Sequence, residues 1–204
     1  MRIVFMGSPE FALPALSRLI ESEHDVVAVY TQPDRPSGRG RKLTPPPVKT
    51  LALAHGLDVR QPKSISKPDV VEDLRRLAPD VGIITAYGQI LRQAVLDVPP
   101  LGILNIHASL LPRWRGAAPI PASILAGDAE TGATIMLVRL ALDAGPMLGA
   151  ARVPISESDT TATLTPKVAS EGARLLMELL PRWARHEIAP ADQDESLATY
   201  AAQI

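Results

Sequence analysis

Through the first 130 residues, short unbroken apolar runs alternate with apolar positions at helical spacing. Residues 2–6 form a β-rich run that stops at Gly7, and Leu13, Leu16, Leu19 and Ile20 follow at spacings of three, three and one, which predicts strand, loop, helix. Residues 26–30 are almost continuously apolar, as expected of a parallel strand buried on both faces. A short helix is predicted over 48–54, closed by Gly56, then a short strand over 57–60. An amphipathic helix over 70–77 is opened by Pro68 and Asp69, residue types that suit a helix start. Residues 81–86 and 103–106 read as two more buried strands, 119–125 as a helix ending near Gly127, and 134–140 as a longer strand. The longest helical pattern runs from 161 to about 186 through Leu164, Val168, Leu175, Leu176, Leu179 and Leu180. Its Pro166 lies near the start, where proline is tolerated. This alternation predicts an α/β fold: a doubly wound, mostly parallel sheet with helices on both faces. Ligands of such sheets bind beyond the carboxyl ends of the strands.

Two stretches break the pattern. Residues 31–47 hold five prolines and two glycines around Arg35, Arg39, Arg41 and Lys42, and predict a long, mobile, basic loop rather than a regular element. Residues 187–204 contain Glu187, Asp192, Asp194 and Glu195 but no Lys or Arg, and read as an exposed tail or linker. The expected organisation is one domain over 1–186 with that tail behind it.

Composition narrows the function. The 204 residues are 46% hydrophobic and 21% charged, a globular balance with enough chain for a real core. Aromatics are only 3%, so the core is built from Leu, Ile, Val and Ala, and an RNA-binding sheet that stacks bases on aromatic rings is disfavoured. The net charge of -1 gives no global attraction to polyanions. A nucleic acid must therefore be gripped locally, and residues 34–49 carry five positive charges against one negative, or +4. The absence of cysteine removes disulfides, thiolate metal sites and a Cys nucleophile, and fits a reducing compartment. The apolar start is too short for a signal peptide and no stretch reaches a membrane span. A cytoplasmic location, with no membrane contact, is the expectation.

The first strand-to-helix turn, Gly7-Ser8-Pro9-Glu10-Phe11-Ala12, lacks the later glycines that a dinucleotide pyrophosphate requires. The run Gly38-Arg39-Gly40-Arg41-Lys42 has neither the spacing nor the preceding strand of a P-loop. A sharper constellation is Leu104-Asn105-Ile106-His107-Ala108-Ser109-Leu110-Leu111-Pro112. Side chains two apart on a strand share a face, so Asn105 and His107 project together where this strand meets its loop. An Asn amide can donate to a developing oxyanion, and a His can carry a proton near neutral pH. Asp143, in the turn Leu142-Asp143-Ala144-Gly145-Pro146, is the best candidate to orient or polarise the imidazole. Asn and His at a strand end also serve simply to satisfy loops, Asp before Ala-Gly-Pro is a common turn former, and a basic loop can be merely solvated. His24, His55 and His186 have no ligand-like neighbours in sequence, and no metal site is expected.

Together these motifs resemble the methionyl-tRNA formyltransferase family. The likeness is carried by the run of residues 5–12, by Thr31-Gln32-Pro33-Asp34-Arg35-Pro36-Ser37-Gly38-Arg39-Gly40, by the 105–112 run continued as Arg113-Trp114-Arg115-Gly116-Ala117-Ala118-Pro119-Ile120, and by Ala126-Gly127-Asp128-Ala129-Glu130-Thr131-Gly132. The Asn-x-His-x-Ser-Leu-Leu-Pro run belongs to the wider superfamily that uses 10-formyltetrahydrofolate, whereas the basic loop and the Arg-Gly-Ala-Ala-Pro-Ile continuation are more particular to the tRNA enzymes. The resemblance implies transfer of a formyl group from 10-formyltetrahydrofolate, a cosubstrate, to the α-amine of initiator methionyl-tRNA in translation initiation. It implies that Asn105, His107 and Asp143 are catalytic. Ser109, Leu110, Leu111 and Pro112 are implied to contact folate, with Tyr87, Gly88, Ile90 and Leu91 walling the pterin pocket. Arg35, Arg39, Arg41 and Lys42 are implied to grip the tRNA acceptor stem, and the protein is expected to be a monomer. The family usually has Gly-Leu-Asp-Thr-Gly where this chain has Ala141-Leu142-Asp143-Ala144-Gly145, and its members continue into a small β-barrel that binds tRNA. Residues 187–204 are then a linker toward such a barrel. Formylation of a small amine, such as glycinamide ribonucleotide or an amino-sugar nucleotide, and a catalytically inert tRNA-contacting domain remain as alternative readings.

Overall fold

The structure, a computed structural model, describes residues 1–37 and 42–203. The chain divides into two compact units, Met1–Ile103 and Leu104–Ile204.

The first unit is built on β1 (Arg2–Gly7), α1 (Leu13–Ile20), β2 (Asp25–Tyr30), β3 (Arg35–Ser37), β4 (Lys42–Thr44), α2 (Pro47–Ala54), β5 (Val59–Arg60), α3 (Pro68–Arg76), β6 (Val81–Thr85) and α4 (Gln93–Leu96). Strands β6, β1, β2 and β5 lie side by side in that order, every pair parallel. Ile3, Val4, Phe5 and Met6 are all fully buried. Successive side chains point to opposite faces of a strand, so this continuous burial means that β1 is covered on both faces. Helix α1 buries Ala15, Leu16 and Leu19, and α3 buries Val71 and Leu74. Pro68 opens α3, Asp69 sits in its first turn and Arg75 and Arg76 in its last, an order that complements the helix dipole.

Within the stretch expected as an irregular loop, residues 35–37 and 42–44 form two short strands, while residues 38–41 lie outside the described residues. Arg35, Pro36 and Ser37 pair antiparallel with Thr44, Leu43 and Lys42. A two-stranded ribbon accepts Pro36 because alternate N–H groups point away from the partner strand.

The second unit contains the rest of β7 (Ile103–His107), β8 (Arg115–Gly116), α5 (Pro119–Leu125), β9 (Glu130–Leu137), β10 (Met147–Pro154), α6 (Thr161–Ala184) and β11 (Tyr200–Ala201). Here β7 pairs with β9 and β9 with β10, both antiparallel. The α/β, mostly parallel architecture expected from the alternation is what forms; the antiparallel pairs are β7/β9 and β9/β10 here and the short β3/β4 ribbon of the first unit. Strand β9 begins four residues earlier than the periodicity predicts, at Glu130 rather than 134. Strand β10 had no sequence signal, because Gly149, Ala150 and Ala151 dilute its β-propensity. Helix α6 packs Leu164, Val168, Leu176, Leu179 and Leu180 inward and runs unbroken through Pro166. A capping box between Thr160 and Thr163 fixes its start.

The stretch expected as an exposed tail is docked. Ala191 and Met147 exchange backbone hydrogen bonds of 2.8 and 2.9 Å, and β11 runs parallel to β8. Gln193 and Ala201 are buried. The sequence offers no apolar run here because the docking is made by hydrogen bonds, which leave no hydropathy signal.

Candidate active site

Strand β7 delivers Asn105 and His107 to one face at its carboxyl end, as the two-residue spacing requires. Asn105 is half-buried, and its amide has no hydrogen-bond partner among the described residues. His107 is 6% exposed. Its Nε2 lies 2.9 Å from the carbonyl oxygen of Trp114. A carbonyl only accepts, so this nitrogen carries the proton in the neutral ring and Nδ1 presents its lone pair. Nδ1 faces Oδ2 of Asp143 at 3.7 Å. That is too long for a hydrogen bond but close enough for the carboxylate to stabilise a proton arriving on Nδ1.

Asp143 holds a left-handed backbone, φ +47°. Its Oδ2 accepts the Gly116 N–H at 2.9 Å. Two glycines make this possible. At Gly116, φ is +106° and a Cβ would lie 2.6 Å from the Ala201 carbonyl oxygen; at Gly145 a Cβ would lie 1.7 Å from that of Leu137. Neither position tolerates a side chain. The three catalytic candidates therefore share one unit, and two of them meet.

The 109–112 loop is pinned by Thr134, which stands opposite His107 in the β7/β9 ladder. The Thr134 hydroxyl donates to the Ser109 carbonyl at 2.7 Å and accepts the Leu111 N–H at 3.1 Å. Ser109 is fully buried and gives its hydroxyl to the Arg113 carbonyl at 2.6 Å. Its side chain is thus committed to the loop, while Leu110 and Pro112 are half-buried and Leu111 is buried. Leu110 lines a hollow with Arg113, Trp114, Asp128, Ala129, Glu130 and Thr131. Asp128 accepts from Arg113 at 2.7 and 2.9 Å and from the Trp114 indole N–H at 2.7 Å. The Arg113 guanidinium beside it holds its carboxyl below the usual range.

In the first unit, residues 86–91 follow β6. Tyr87 is buried, its hydroxyl has no partner among the described residues, and burial pushes its phenol upward. Gln89 pins the loop by accepting the Ile65 N–H at 2.7 Å and donating to the Pro62 carbonyl at 3.0 Å. Leu91 is buried, Gly88 has φ +80°, and Ile90 is 88% exposed. Of the basic loop, Arg35 is exposed and donates to Gln32 Oε1 at 3.1 Å. Lys42 begins β4, while Arg39 and Arg41 lie outside the described residues. Asp34 is held by Gln61 and Lys49, which lower its carboxyl, so one acid and one base of this segment neutralise each other.

Sequence reasoning missed Gln193 and the part played by Arg115. Arg115 stood inside a run already singled out, but Gln193 has no neighbour in sequence that marks it. No group of three or more His, Cys, Asp or Glu side chains is placed to hold a metal ion among the described residues.

The fold is that of Rossmann-like α/β transferases. A solved glycinamide ribonucleotide transformylase from Symbiobacterium toebii superposes with a TM-score of 0.77 over 95% of this chain and 94% of its own, at 23% identity. A sugar N-formyltransferase from a Shewanella species superposes at 0.74 over 99% and 76%, at 18% identity. A formyl transferase profile matches residues 1–180, and the chain belongs to that family. Among its relatives is a methionyl-tRNA formyltransferase of Methylococcus capsulatus, 57% identical over the whole chain and 66% of the relative. Another, from Chloroflexus aggregans, is 54% identical over 98% of this chain and 64% of its own length. The chain thus spans just under two thirds of the curated relatives it matches.

Proposed function

We propose that the chain transfers the formyl group of 10-formyltetrahydrofolate to the α-amine of initiator methionyl-tRNA, in the cytoplasm, during translation initiation. The observation that carries the chemistry is the His107 ring, with Nε2 committed to a carbonyl and Nδ1 turned to the Asp143 carboxylate. The 57% and 54% identities to methionyl-tRNA formyltransferases, against at most 26% for the glycinamide ribonucleotide enzymes compared, support this choice of substrate.

In this reading the neutral amine attacks the formyl carbon, a C–N bond forms, and the carbonyl electrons move onto oxygen. The half-buried amide of Asn105 donates to that oxyanion, for which it has no competing partner. His107 Nδ1 takes the proton lost by the amine, with Asp143 stabilising the imidazolium. The oxyanion then collapses, the bond to N10 of the folate breaks, and the proton passes to that nitrogen. No covalent enzyme intermediate and no metal is required. Leu110, Leu111 and Pro112 supply contacts to the folate. Arg35, Arg39, Arg41 and Lys42 supply phosphate contacts to the tRNA, and the protein works as a monomer.

The test is to incubate the protein with 10-formyltetrahydrofolate and, separately, methionyl-tRNA, glycinamide ribonucleotide or an amino-sugar nucleotide. Formyl-methionyl-tRNA is the expected product. Formylation of a small amine alone would reassign the substrate, and formylation of none would remove the enzyme reading.

A further inference from the structure

Arg115 is a fully buried cation, 1% exposed, and its partners come from the segment expected to be a tail. Its two terminal nitrogens donate to the Glu195 carboxylate at 2.9 and 2.7 Å, and its Nε donates to Gln193 Oε1 at 3.0 Å. The Gln193 amide nitrogen then spends its two N–H groups on the turn that carries the candidate acid, donating to the Asp143 and Gly145 carbonyls at 2.8 Å each. A few residues on, Thr199 Oγ1 accepts the Trp114 N–H at 2.9 Å, and its carbonyl accepts the Arg115 N–H at 2.8 Å. One segment thus holds both neighbours of the His107 ring: the Trp114 loop that fixes Nε2 and the Asp143 turn that faces Nδ1.

Asp143 needs the support. A non-glycine residue with positive φ persists only where its surroundings over-determine it. Its carboxylate is fixed by the Gly116 N–H, but its backbone carbonyl and that of Gly145 are fixed by Gln193 alone among the contacts seen. A primary amide suits this position because it offers two donors to two carbonyls and one acceptor to a guanidinium.

We infer that Gln193 is a positioning residue, setting the Asp143 turn against His107, and that residues 193–201 are part of the site's framework. Its effect on rate rests on the formyl-transfer reading; its effect on the turn does not.

Two substitutions test it, at a temperature where melting curves show both variants folded. Gln193→Leu removes all three hydrogen bonds, whereas Gln193→Glu keeps the acceptor for Arg115 but sets a carboxylate oxygen against two carbonyls. In both, kcat for formyl transfer falls about tenfold or more, the scale of a catalytic group displaced by a fraction of an ångström to an ångström. KM for 10-formyltetrahydrofolate stays within about twofold. The Gly116 amide, which reports the Asp143 carboxylate directly, shifts in the NMR spectrum and exchanges with solvent about tenfold faster. A normal kcat in Gln193→Glu beside a lowered one in Gln193→Leu would assign the effect to Arg115 and overturn the inference, as would an unchanged Gly116 amide in both. Should the unsubstituted protein formylate no amine, the functional reading fails and the Gly116 amide alone decides this one.

Discussion

Nε2 of His107 donates to the carbonyl of Trp114 across 2.9 Å, and this bond decides which nitrogen of the ring is free. Trp114 offers the carbonyl from a left-handed backbone, φ +61°, which the Thr199 hydroxyl holds through the Trp114 N–H. The tautomer of the candidate base is therefore set by a loop conformation, and Nδ1 is the atom left to exchange a proton in front of Asp143.

Replacing the imidazole removes that atom. His107→Ala is expected to lower single-turnover formyl transfer by about 10² or more, the usual scale for a lost acid or base. Binding of 10-formyltetrahydrofolate, followed by fluorescence titration, should change little. A rate equal to the parent's would mean that His107 does not handle the proton.

Charge and shape at position 143 are separable. Asn tolerates positive φ and its side-chain oxygen can still accept the Gly116 N–H, so Asp143→Asn preserves the turn while deleting the negative charge. Asp143→Ala loses both. Activity is expected to fall about 10² in each, but only Asp143→Ala should also lower Tm by several degrees, the shift of about 1 kcal/mol in a chain of this size. Equal melting temperatures would show that the carboxylate does not hold the turn.

These contrasts mark what the sequence could disclose. Asn105 and His107 were legible because strand periodicity places residues two apart on one face. The parallel strands were legible because burial on both faces leaves unbroken apolar runs. Asp143 was found as a chemical type in a turn, but its approach to His107 depends on the antiparallel return of β9 and β10, and β10 is written in small residues that carry no β signal. Gln193 was invisible: two of its three partners are backbone carbonyls 50 and 48 residues away, which any sequence possesses, and the third is a guanidinium 78 residues away. The docking of Ala191, Gln193 and β11 left no signal in the sequence for the same reason.

Glycines at two left-handed positions should respond differently. Gly127, φ +68°, has open space where a Cβ would go, so Gly127→Ala carries only the conformational term, roughly 1–2 kcal/mol. At Gly116 the added carbon meets the Ala201 carbonyl at 2.6 Å, and either β11 or the N–H that serves Asp143 must move. Gly116→Ala is expected to cost more in urea unfolding, about 2–3 kcal/mol, and to lose activity as well. Equal effects of the two changes would mean that β11 yields freely.

Local charge, not net charge, should govern the tRNA. With Asp34 and Lys49 paired to each other, the other cations that the sequence places in this segment are Arg35, Arg39, Arg41 and Lys42. Arg39→Ala is expected to raise KM for methionyl-tRNA and reduce the slope of log affinity against log salt by about 1, while leaving folate binding alone. An unchanged slope would place the phosphate contacts elsewhere.

Acid should unfold the protein through a particular set of carboxylates. Hydrogen bonds from Lys167, Ser156 and Thr163 hold Asp159, and bonds from Arg113, Gln61 and Arg115 hold Asp128, Asp34 and Glu195, all below their ordinary range. A carboxyl lowered on folding binds fewer protons in the folded chain than in the unfolded one. Its stabilisation is therefore complete above the unfolded value of about 4 and lost as pH falls through the folded value. Asp159 is lowered furthest, so its contribution persists to the lowest pH, guarding the start of α6 through Thr163 and Lys167. In thermal melts between about pH 7 and pH 2, Asp159→Asn should lie below the parent by a constant interval until about pH 4 and approach it only below that. Curves that converge already near pH 6 would show that the Asp159 contacts do not survive in solution.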